Sequence, residues 1–265
     1  MNLKMLAFDF GASSGRAMLG TFDGEKLDLK EIHRFSNDPV EVNGSLHWDV
    51  LRLFYEIKQG ILKAAVQGYD NLDSMGVDTW GVDFGLLDRD GNLIGNPYHY
   101  RDKRTDGMIE EACKIVPRDE IYRQTGIQFM WYNTLYQLLS MKVNNSLQLQ
   151  NATTLLFMPD LFNYFLTGTK STEYSIASTS QLLNPLSGKW AYELMEKFGV
   201  SRHTVRQAFG ELEKEGWVYK KQGKGTFARN VSTGTKKGMI RLITTYISDY
   251  IFPHIISGIE SVMTE

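Results

Sequence analysis

The sequence predicts an α/β fold, and three observations lead to that prediction. Two short apolar runs with β propensity, residues 3–10 and 16–23, flank the turn-forming segment GASSG. Residues 49–68 then place apolar side chains at helical spacing, and residues 72–95 return to the alternation of apolar and small residues that is typical of strands. Strands that alternate with an amphipathic helix indicate a sheet covered by helices.

The first two runs predict a hairpin whose loop can bind a ligand. Glycine lets the backbone approach a ligand closely, and the loop N–H groups with the hydroxyls of Ser13 and Ser14 can hold a phosphate. Arg16 adds positive charge, and Asp9 can hold Mg²⁺ through water. A plain β-turn is the alternative. Asp9 favours the ligand site, because an acid that closes an apolar strand is costly to bury without a function.

The next segments predict the rest of the sheet and its covering helix. Residues 26–35 predict a third strand, and residues 49–68 predict a helix with a single apolar stripe facing the sheet. The stripe consists of Leu53, Phe54, Ile57, Ile61, Leu62 and Ala65. Residues 72–95 predict strands with a turn at 90–91. Three side chains lie near those strand ends, where α/β folds bind ligands: Asp78, Trp80 and Asp83.

The composition is that of a globular protein of one or two domains. The chain has 265 residues, of which 42% are hydrophobic. Cys113 is the only cysteine, which excludes an internal disulfide and argues against a zinc site. Because no apolar run approaches the roughly 20 residues of a membrane span, we expect a cytoplasmic protein without a membrane partner.

Charge is distributed unevenly along the chain. The formal net charge is −2, but residues 1–200 carry −6 and residues 201–265 carry +4. Residues 217–241 contain seven Lys or Arg and no acid. Such a run is often only a solvated surface, so its meaning depends on the structure beside it.

The segment ELMEKFGVSRHTVRQAFGELEKEG (193–216) predicts two helices joined by a turn at 199–200. Ser201 is a good N-cap for the second helix, and Gly216 ends it. Residues 217–228 predict a lysine-rich hairpin. Helix, turn, helix and basic hairpin together are typical of a winged helix-turn-helix, although amphipathic helices and surface hairpins of other folds are a common source of the same pattern.

A series of motifs in the first two hundred residues resembles one enzyme family. The motifs AFDFGASSGR, IHRF, HWDV, GVDTWGVDF, YRDKRTDG, QTGIQF, NTLYQL and MPDLFNYFLTG occur in an order and spacing that resemble the amino-terminal domain of the FGGY sugar kinases, in their rhamnulokinase branch. The resemblance covers about residues 3–199. It implies a single lobe of the ribonuclease-H/actin-like ATPase fold and ATP-dependent phosphorylation of a ketose, L-rhamnulose, at its primary hydroxyl.

The same resemblance implies roles for individual residues. Those that would meet the ATP phosphates are Ala12, Ser13, Ser14, Gly15 and Arg16, with Asp9 as the acid on the Mg²⁺ side. Gly81 would contact the sugar, and Arg101 and Asp102 would line the sugar cleft. For the last two residues an ion pair with each other at a strand end is an equal alternative.

The resemblance also implies parts that these residues do not contain. The family's catalytic base is an aspartate in a His-Asp motif, and no His-Asp pair occurs in the sequence. The second lobe, which closes over ATP, is likewise not matched. We therefore expect sugar or nucleotide binding without turnover.

The tail resembles a second family. GVSRHTVRQAFGELEKEGWVYKKQGKGTF resembles a GntR-type winged helix, and residues 243–265 resemble the start of the sensor domain of an arabinose-responsive repressor. The resemblance implies base contacts by Arg202, His203, Thr204, Arg206 and Gln207, and backbone contacts by Lys220, Lys221, Gln222, Lys224 and Thr226. The helix-turn-helix lacks its first helix. The domains expected are a kinase-like domain (1–192), an incomplete winged helix (193–230) and a truncated sensor segment (231–265).

Three hypotheses follow for the chain. It is a kinase-type domain, a sugar-operon regulator that binds operator DNA, or a non-functional chimera of two sugar-utilisation genes. Apolar residues of the tail that lack their usual partners indicate a homo-oligomer as a way of covering them.

Overall fold

The computed structural model describes residues 3–200 and, as backbone only, the strands at 218–221 and 225–228. The strands are β1 (Leu3–Phe10), β2 (Ser14–Phe22), β3 (Leu27–Ser36), β4 (Val40–Val42), β5 (Ser45–His47), β6 (Ser74–Thr79), β7 (Phe84–Leu87), β8 (Thr154–Phe157), β9 (Leu183–Asn184), β10 (Lys189–Trp190), β11 (Val218–Lys221) and β12 (Gly225–Ala228). The helices are α1 (Val50–Val66), α2 (Met108–Ile115), α3 (Arg118–Thr125), α4 (Thr134–Val143), α5 (Leu147–Asn151), α6 (Met158–Thr167), α7 (Tyr174–Ser178) and α8 (Tyr192–Phe198). The alternation of strands and helices confirms the α/β class.

The main sheet has four strands in the order β3-β2-β1-β6. β1 and β2 form the predicted hairpin, and β3 extends it antiparallel. β6 lies parallel to β1 on the other side, so that Phe10 pairs with Thr79 and Asp9 pairs with Asp78. The segments that directly follow these two strands, beginning at Gly11 and Trp80, therefore leave the same edge of the sheet.

Helix α1 covers one face of this sheet, but with a different stripe from the one predicted. Its buried residues are Val50, Leu53, Glu56, Ile57, Gly60 and Ala64, whereas Leu62 is 56% exposed and Ala65 is also exposed. The assignment of Leu62 and Ala65 to the apolar stripe was wrong. The helix faces the sheet with Gly60 and Ala64 because these small residues allow its backbone to approach Phe8 and Ala17 closely.

A second hydrophobic core lies around β7 and β8, which pair antiparallel. Helix α4 is buried along nearly its whole length there. The predicted helix before Gly199 is α8, and Leu194, Met195 and Phe198 are all fully buried in this core. Gly199 ends α8 in the left-handed conformation at φ 60°.

The tail is described only at its hairpin. β11 and β12 pair antiparallel from Val218–Ala228 to Lys221–Gly225, which confirms the predicted hairpin. Lys220, Lys221 and Thr226 lie on these strands. The other predicted DNA contacts (Arg202, His203, Thr204, Arg206, Gln207, Gln222 and Lys224) lie outside the described residues. The described residues belong to one compact unit, and residues 230–265 lie outside the described residues. In the described part, no helix is long and apolar enough to cross a membrane.

Candidate functional site

The loop between β1 and β2 has the form of an anion-binding loop. Asn37 fixes it from the end of β3, because its side-chain amide donates to the carbonyl of Gly11 at 2.8 Å and its backbone N–H donates to the carbonyl of Ser13 at 3.0 Å. Ala12 and Ser13 are exposed, and within the described residues their backbone N–H groups donate no hydrogen bond. Backbone N–H groups that have no acceptor, on a loop that is held in place, can donate hydrogen bonds to a phosphate oxygen.

Two carboxylates and a guanidinium lie beside this loop. Asp9 and Asp78 are register partners on parallel strands, so their exposed side chains share one face of the sheet. Arg16, opposite Asp9 on β2, has its Nε 3.3 Å from Asp9 Oδ2 without hydrogen-bond alignment. Arg16 therefore neutralises part of the acidic charge and remains able to meet an anion.

The pair of acids fits a magnesium ion that is shared with phosphate. Among residues 3–200, no group of three or more His, Cys, Asp or Glu could hold a metal with protein ligands alone. Magnesium usually keeps several waters and is bound by one or two carboxylates together with substrate phosphates. Asp9 and Asp78 supply such a partial shell.

The segment after β6, Trp80-Gly81-Val82-Asp83, is a strained turn. Val82 has φ 66°, a conformation that is a genuine outlier for a β-branched residue. Hydrogen bonds hold it there, because its N–H donates to Thr179 Oγ1 at 3.0 Å and its carbonyl accepts from Thr134 Oγ1 at 2.7 Å. A Cβ on Gly81 would lie 3.1 Å from the Thr179 side chain, so glycine keeps this turn close to α7. Strain that is maintained in this way is common at ligand sites.

Asp83 is the polar centre of this region. Its carboxylate is fully buried, and Oδ2 accepts from Trp48 Nε1 at 2.6 Å, from Trp80 Nε1 at 2.9 Å and from the backbone N–H of Tyr100 at 3.1 Å. Oδ1 accepts from Gln137 Nε2 at 2.8 Å. Burial raises the pKa of Asp83 to about 6, against the hydrogen bonds from Trp48, Gln137 and Trp80 and the charge of Arg104, which lower it. The group is therefore ionised at neutral pH.

Aromatic rings extend from Asp83 as a continuous wall. Trp48 lies between Trp80 and His99, with ring centroids 3.9 and 4.0 Å away, and His99 stacks on Tyr100 at 4.5 Å. Tyr132 meets Tyr100 edge-on at 5.7 Å. Burial, with a smaller contribution from the charge of Arg101, lowers the pKa of His99 to about 4, so this ring is neutral at neutral pH. Flat apolar rings with a few polar atoms at their edges are typical of small-molecule sites.

The structure separates the predicted pair Arg101 and Asp102. Arg101 is exposed, and its guanidinium lies 5.3 Å from the Tyr100 ring centroid. Asp102 is buried and accepts from the backbone N–H groups of Leu46 at 2.7 Å and Arg104 at 3.0 Å. The alternative of an Arg101–Asp102 ion pair was wrong, because the charged partner of Asp102 is Arg104, 3.6 Å away. Asp102 thereby joins β5 to the segment that follows Tyr100.

A cleft of about 300 Å³ lies between the end of β6 and the starts of α6 and α7. Its polar lining includes Asp78, Gly81, Asp160, Asn163, Glu173 and Thr179. Asp160 is 1% exposed; its Oδ1 accepts from the N–H of Glu173 at 3.1 Å, and its Oδ2 has no hydrogen-bond partner. Burial, with the nearby charge of Glu173, raises the pKa of Asp160 to about 7.

The structure thus brings together the predicted residues Asp9, Ala12 to Arg16 and Gly81 at one edge of the sheet. It adds four residues to which the sequence assigned no specific role: Asp78, Asp83, Gln137 and Asp160. Asp83 had only been noted near a strand end, like Asp78. Gln137 and Asp160 reach the site from helices far along the chain. Both lie in motifs that carry the resemblance, NTLYQL and MPDLFNYFLTG, but no local pattern gave either residue a contact with the site. The motif WGVDF, with an acid between apolar residues, was the available signal for Asp83.

Comparison with protein families gives one match over most of the chain. The family model of the FGGY family of carbohydrate kinases, N-terminal domain, matches residues 4–230. The rhamnulokinase of Oceanobacillus iheyensis is 44% identical over 194 residues, which cover 73% of this chain and 41% of the relative. The rhamnulokinase of Bacteroides thetaiotaomicron is 40% identical over 243 residues, 92% of this chain and 48% of the relative. The chain therefore spans less than half the length of these relatives.

Solved structures show the same fold. A gluconate kinase from Lactobacillus acidophilus superposes with a TM-score of 0.67 at 18% identity, over 77% of this chain and 41% of that one. A glycerol kinase from Plasmodium falciparum, solved with ADP, gives 0.65 at 17% identity, over 77% and 42%. The actin-like fold predicted for the first two hundred residues is confirmed, whereas the winged helix is not among these matches.

Proposed function

Because the chain belongs to the FGGY family of carbohydrate kinases, we propose that it binds the phosphate end of ATP and one side of a ketose, as the amino-terminal part of a rhamnulokinase-type enzyme. The observation that carries the proposal is the common edge of β1 and β6. The anchored loop at Ala12 and Ser13 and the strained turn at Gly81 both begin where these paired strands end. A nucleotide phosphate and a sugar hydroxyl would meet there.

The phosphate side has defined roles for its residues. The N–H groups of Ala12 and Ser13, the hydroxyls of Ser13 and Ser14, and the guanidinium of Arg16 would bind phosphate oxygens. Gly15 leaves room for the Phe35 ring beneath the loop. Asp9 and Asp78 would hold Mg²⁺ by direct or water-mediated contacts, and the ion would neutralise charge on the phosphates.

The sugar side is built from the turn and the aromatic wall. Gly81 offers its backbone to the sugar, Trp80 and Tyr100 offer ring faces and edges, and exposed Arg101 lies at the rim. L-rhamnulose is the ketose that we propose, since relatives at 40 to 44% identity are rhamnulokinases. Asp102 supports this wall from inside, because its carboxylate is occupied by two backbone N–H groups and Arg104.

Transfer of the phosphoryl group needs a base for the sugar hydroxyl. The 265 residues contain no His-Asp pair of the kind expected to supply it. We propose that this chain by itself binds both ligands and does not turn them over. Release of ADP above background from the chain with ATP, Mg²⁺ and L-rhamnulose would contradict this statement.

Binding is tested by titrating the chain calorimetrically with ATP in the presence of Mg²⁺. Arg16→Gln should weaken ATP binding about tenfold, the magnitude of one charge-assisted hydrogen bond. The matched control is Arg34→Gln, because Arg34 pairs with Arg16 in register on β3 and forms an exposed ion pair with Glu31 instead of reaching the loop. Equal affinities for both variants, or no ATP binding at all, would remove the phosphate site.

A second function, operator DNA binding by the tail, is favoured by the hairpin of β11 and β12 in a basic segment. The match to the kinase family model also includes this hairpin, because it continues to residue 230. That match favours a kinase assignment for the same segment. Retention of an arabinose-operator duplex that weakens steeply with salt would support DNA binding, and no retention even at low salt would exclude it.

Sequencing across the source gene tests the chimera hypothesis. Intact kinase and repressor genes nearby, with no reading frame spanning both, would identify the chain as an artefact.

A further inference from the structure

The carboxylate of Asp83 joins four segments that are distant in sequence. Its donors come from the segment before α1 (Trp48), the turn after β6 (Trp80), the segment that follows His99 (Tyr100) and helix α4 (Gln137). The sequence separations are 35, 3, 17 and 54 residues, respectively. A single buried group thus fixes the relative positions of most of the aromatic wall.

All four neighbours are hydrogen-bond donors, and this determines what the site accepts. Trp48 and Trp80 can donate only, since an indole nitrogen has no free lone pair. Gln137 is oriented by its other end, because its Oε1 accepts from Arg104 Nη2 at 2.6 Å. If the Gln137 amide were rotated, its NH₂ group would face the Arg104 guanidinium, so that two donors would meet. Only an acceptor at both carboxylate oxygens of Asp83 satisfies the arrangement.

Asp83 cannot itself contact a ligand, because its side chain is completely buried. The groups that it holds are on the ligand side. Trp80 and Tyr100 are partly exposed, and Gly81 lines the cleft at the end of β6. The N–H of Asp83 also donates to the carbonyl of Gly81 at 2.9 Å, which closes the strained turn.

We propose that Asp83 is a positioning residue for the sugar: its carboxylate holds Trp80, Gly81 and Tyr100 in the arrangement that receives a ketose. The inference rests on the proposed function, since it concerns the sugar side of that site. It assigns no role to Asp83 at the phosphate loop, which is held separately by Asn37.

Asp83→Asn is the decisive substitution because it preserves size and shape. In either orientation the new amide places an NH₂ group against donors, facing either the two indoles and the Tyr100 N–H or the amide of Gln137. The aromatic wall must therefore shift. We expect the affinity for L-rhamnulose to fall at least tenfold, while the affinity for ATP with Mg²⁺ stays within twofold.

The control is Asp90→Asn, which removes one negative charge from an exposed position of the same segment and should leave both affinities unchanged. Both ligands are titrated calorimetrically into each variant, and circular dichroism establishes that each is folded. A role in folding alone would lower both affinities or neither. A sugar affinity of Asp83→Asn equal to that of the unmodified chain would overturn the inference.

Trp48→Phe provides a second variant if Asp83→Asn does not fold. It keeps an aromatic ring next to Trp80 and removes one of the three donors to Oδ2, while Trp48 itself is fully buried. We expect a smaller loss of sugar affinity, about threefold, with unchanged ATP affinity; an unchanged sugar affinity would count against the inference. If the unmodified chain binds ATP but not L-rhamnulose, the proposed substrate is wrong. That result contradicts the proposed function and is distinct from an unchanged sugar affinity in the variants, which contradicts the inference about Asp83.

Discussion

Gly15 illustrates how a single residue can serve both the ligand loop and the core. The motif GASSG predicted this glycine as a phosphate neighbour. In the structure a Cβ at this position would lie 2.2 Å from the Phe35 ring, which packs edge-on against Phe10 at 5.1 Å. Glycine is therefore also required at this position because the Phe35 ring occupies the space beneath the loop. No local sequence pattern predicts that contact.

Gly15→Ala should destabilise the chain by about 1–3 kcal/mol, because the Phe35 ring must move within a packed core. The same shift should weaken ATP binding through the loop. Gly76→Ala is the matched control, since a Cβ there meets no atom within 4 Å and lies on the neighbouring strand β6. Urea denaturation compares the free energies of unfolding, and equal values for the two variants would contradict the prediction.

Helix α1 shows what periodicity predicts at the scale of an element and where it fails. The 3.6-residue pattern located the helix within two residues at each end, and it correctly placed Leu53 and Ile57 in the core. It failed at Leu62, because the pattern favours large apolar residues, whereas close packing against β1 and β2 selects the small residues Gly60 and Ala64. Which face is buried depended on the partner strands, and these are not part of the local pattern.

Gly60→Ala tests this contact. Alanine normally favours a helix over glycine by about 1 kcal/mol. Here the added Cβ would lie 2.6 Å from the Phe8 ring and 3.0 Å from the Cβ of Ala17, so we expect net destabilisation of about 1–2 kcal/mol.

Leu62→Ala in the same helix is the control for Gly60→Ala and should change stability by less, since Leu62 is largely exposed. Thermal unfolding followed by circular dichroism measures both variants. A Gly60→Ala variant more stable than the parent would show that α1 can move away from the sheet.

For the whole molecule, contacts across long sequence separations decide what could be predicted. The hairpin of β1 and β2, α1 and the helix end at Gly199 followed from local patterns. The arrangement of α2 to α7 did not. Neither did the hydrogen bond from Gln137 to Asp83, or the one from the Val82 N–H to Thr179, which spans 97 residues. The proposed phosphate side of the site was therefore predictable from one loop, whereas the contacts that hold the proposed sugar side required the fold.

Asp160 should make the stability of the whole molecule depend on pH. Its folded pKa of about 7 lies above its ordinary value of 3.8, so the folded chain retains a proton that the unfolded chain has lost. The contribution of Asp160 to stability therefore falls as the pH rises from about 4 to 7 and is then constant. The difference corresponds to up to about 4 kcal/mol.

Asp160→Asn removes this dependence, because the amide oxygen can still accept from the N–H of Glu173 and no charge is buried. We expect the variant to have a higher melting temperature than the parent at pH 8 and a similar one at pH 4.5. Asp78→Asn, at an exposed position of the same cleft, controls for the loss of one acidic charge. An equal difference between variant and parent at both pH values would show that Asp160 does not titrate in this range.

The adjacent indoles of Trp48 and Trp80 have a practical consequence. Their ring centroids are 3.9 Å apart with planes inclined by 31°, a separation at which the electronic transitions of two chromophores couple strongly. Trp80 directly precedes Gly81, so we expect a ligand at the turn to alter the geometry of the chromophore pair and with it the near-ultraviolet circular dichroism. A change in that signal on addition of a sugar would report binding at the turn without a label or a coupled enzyme.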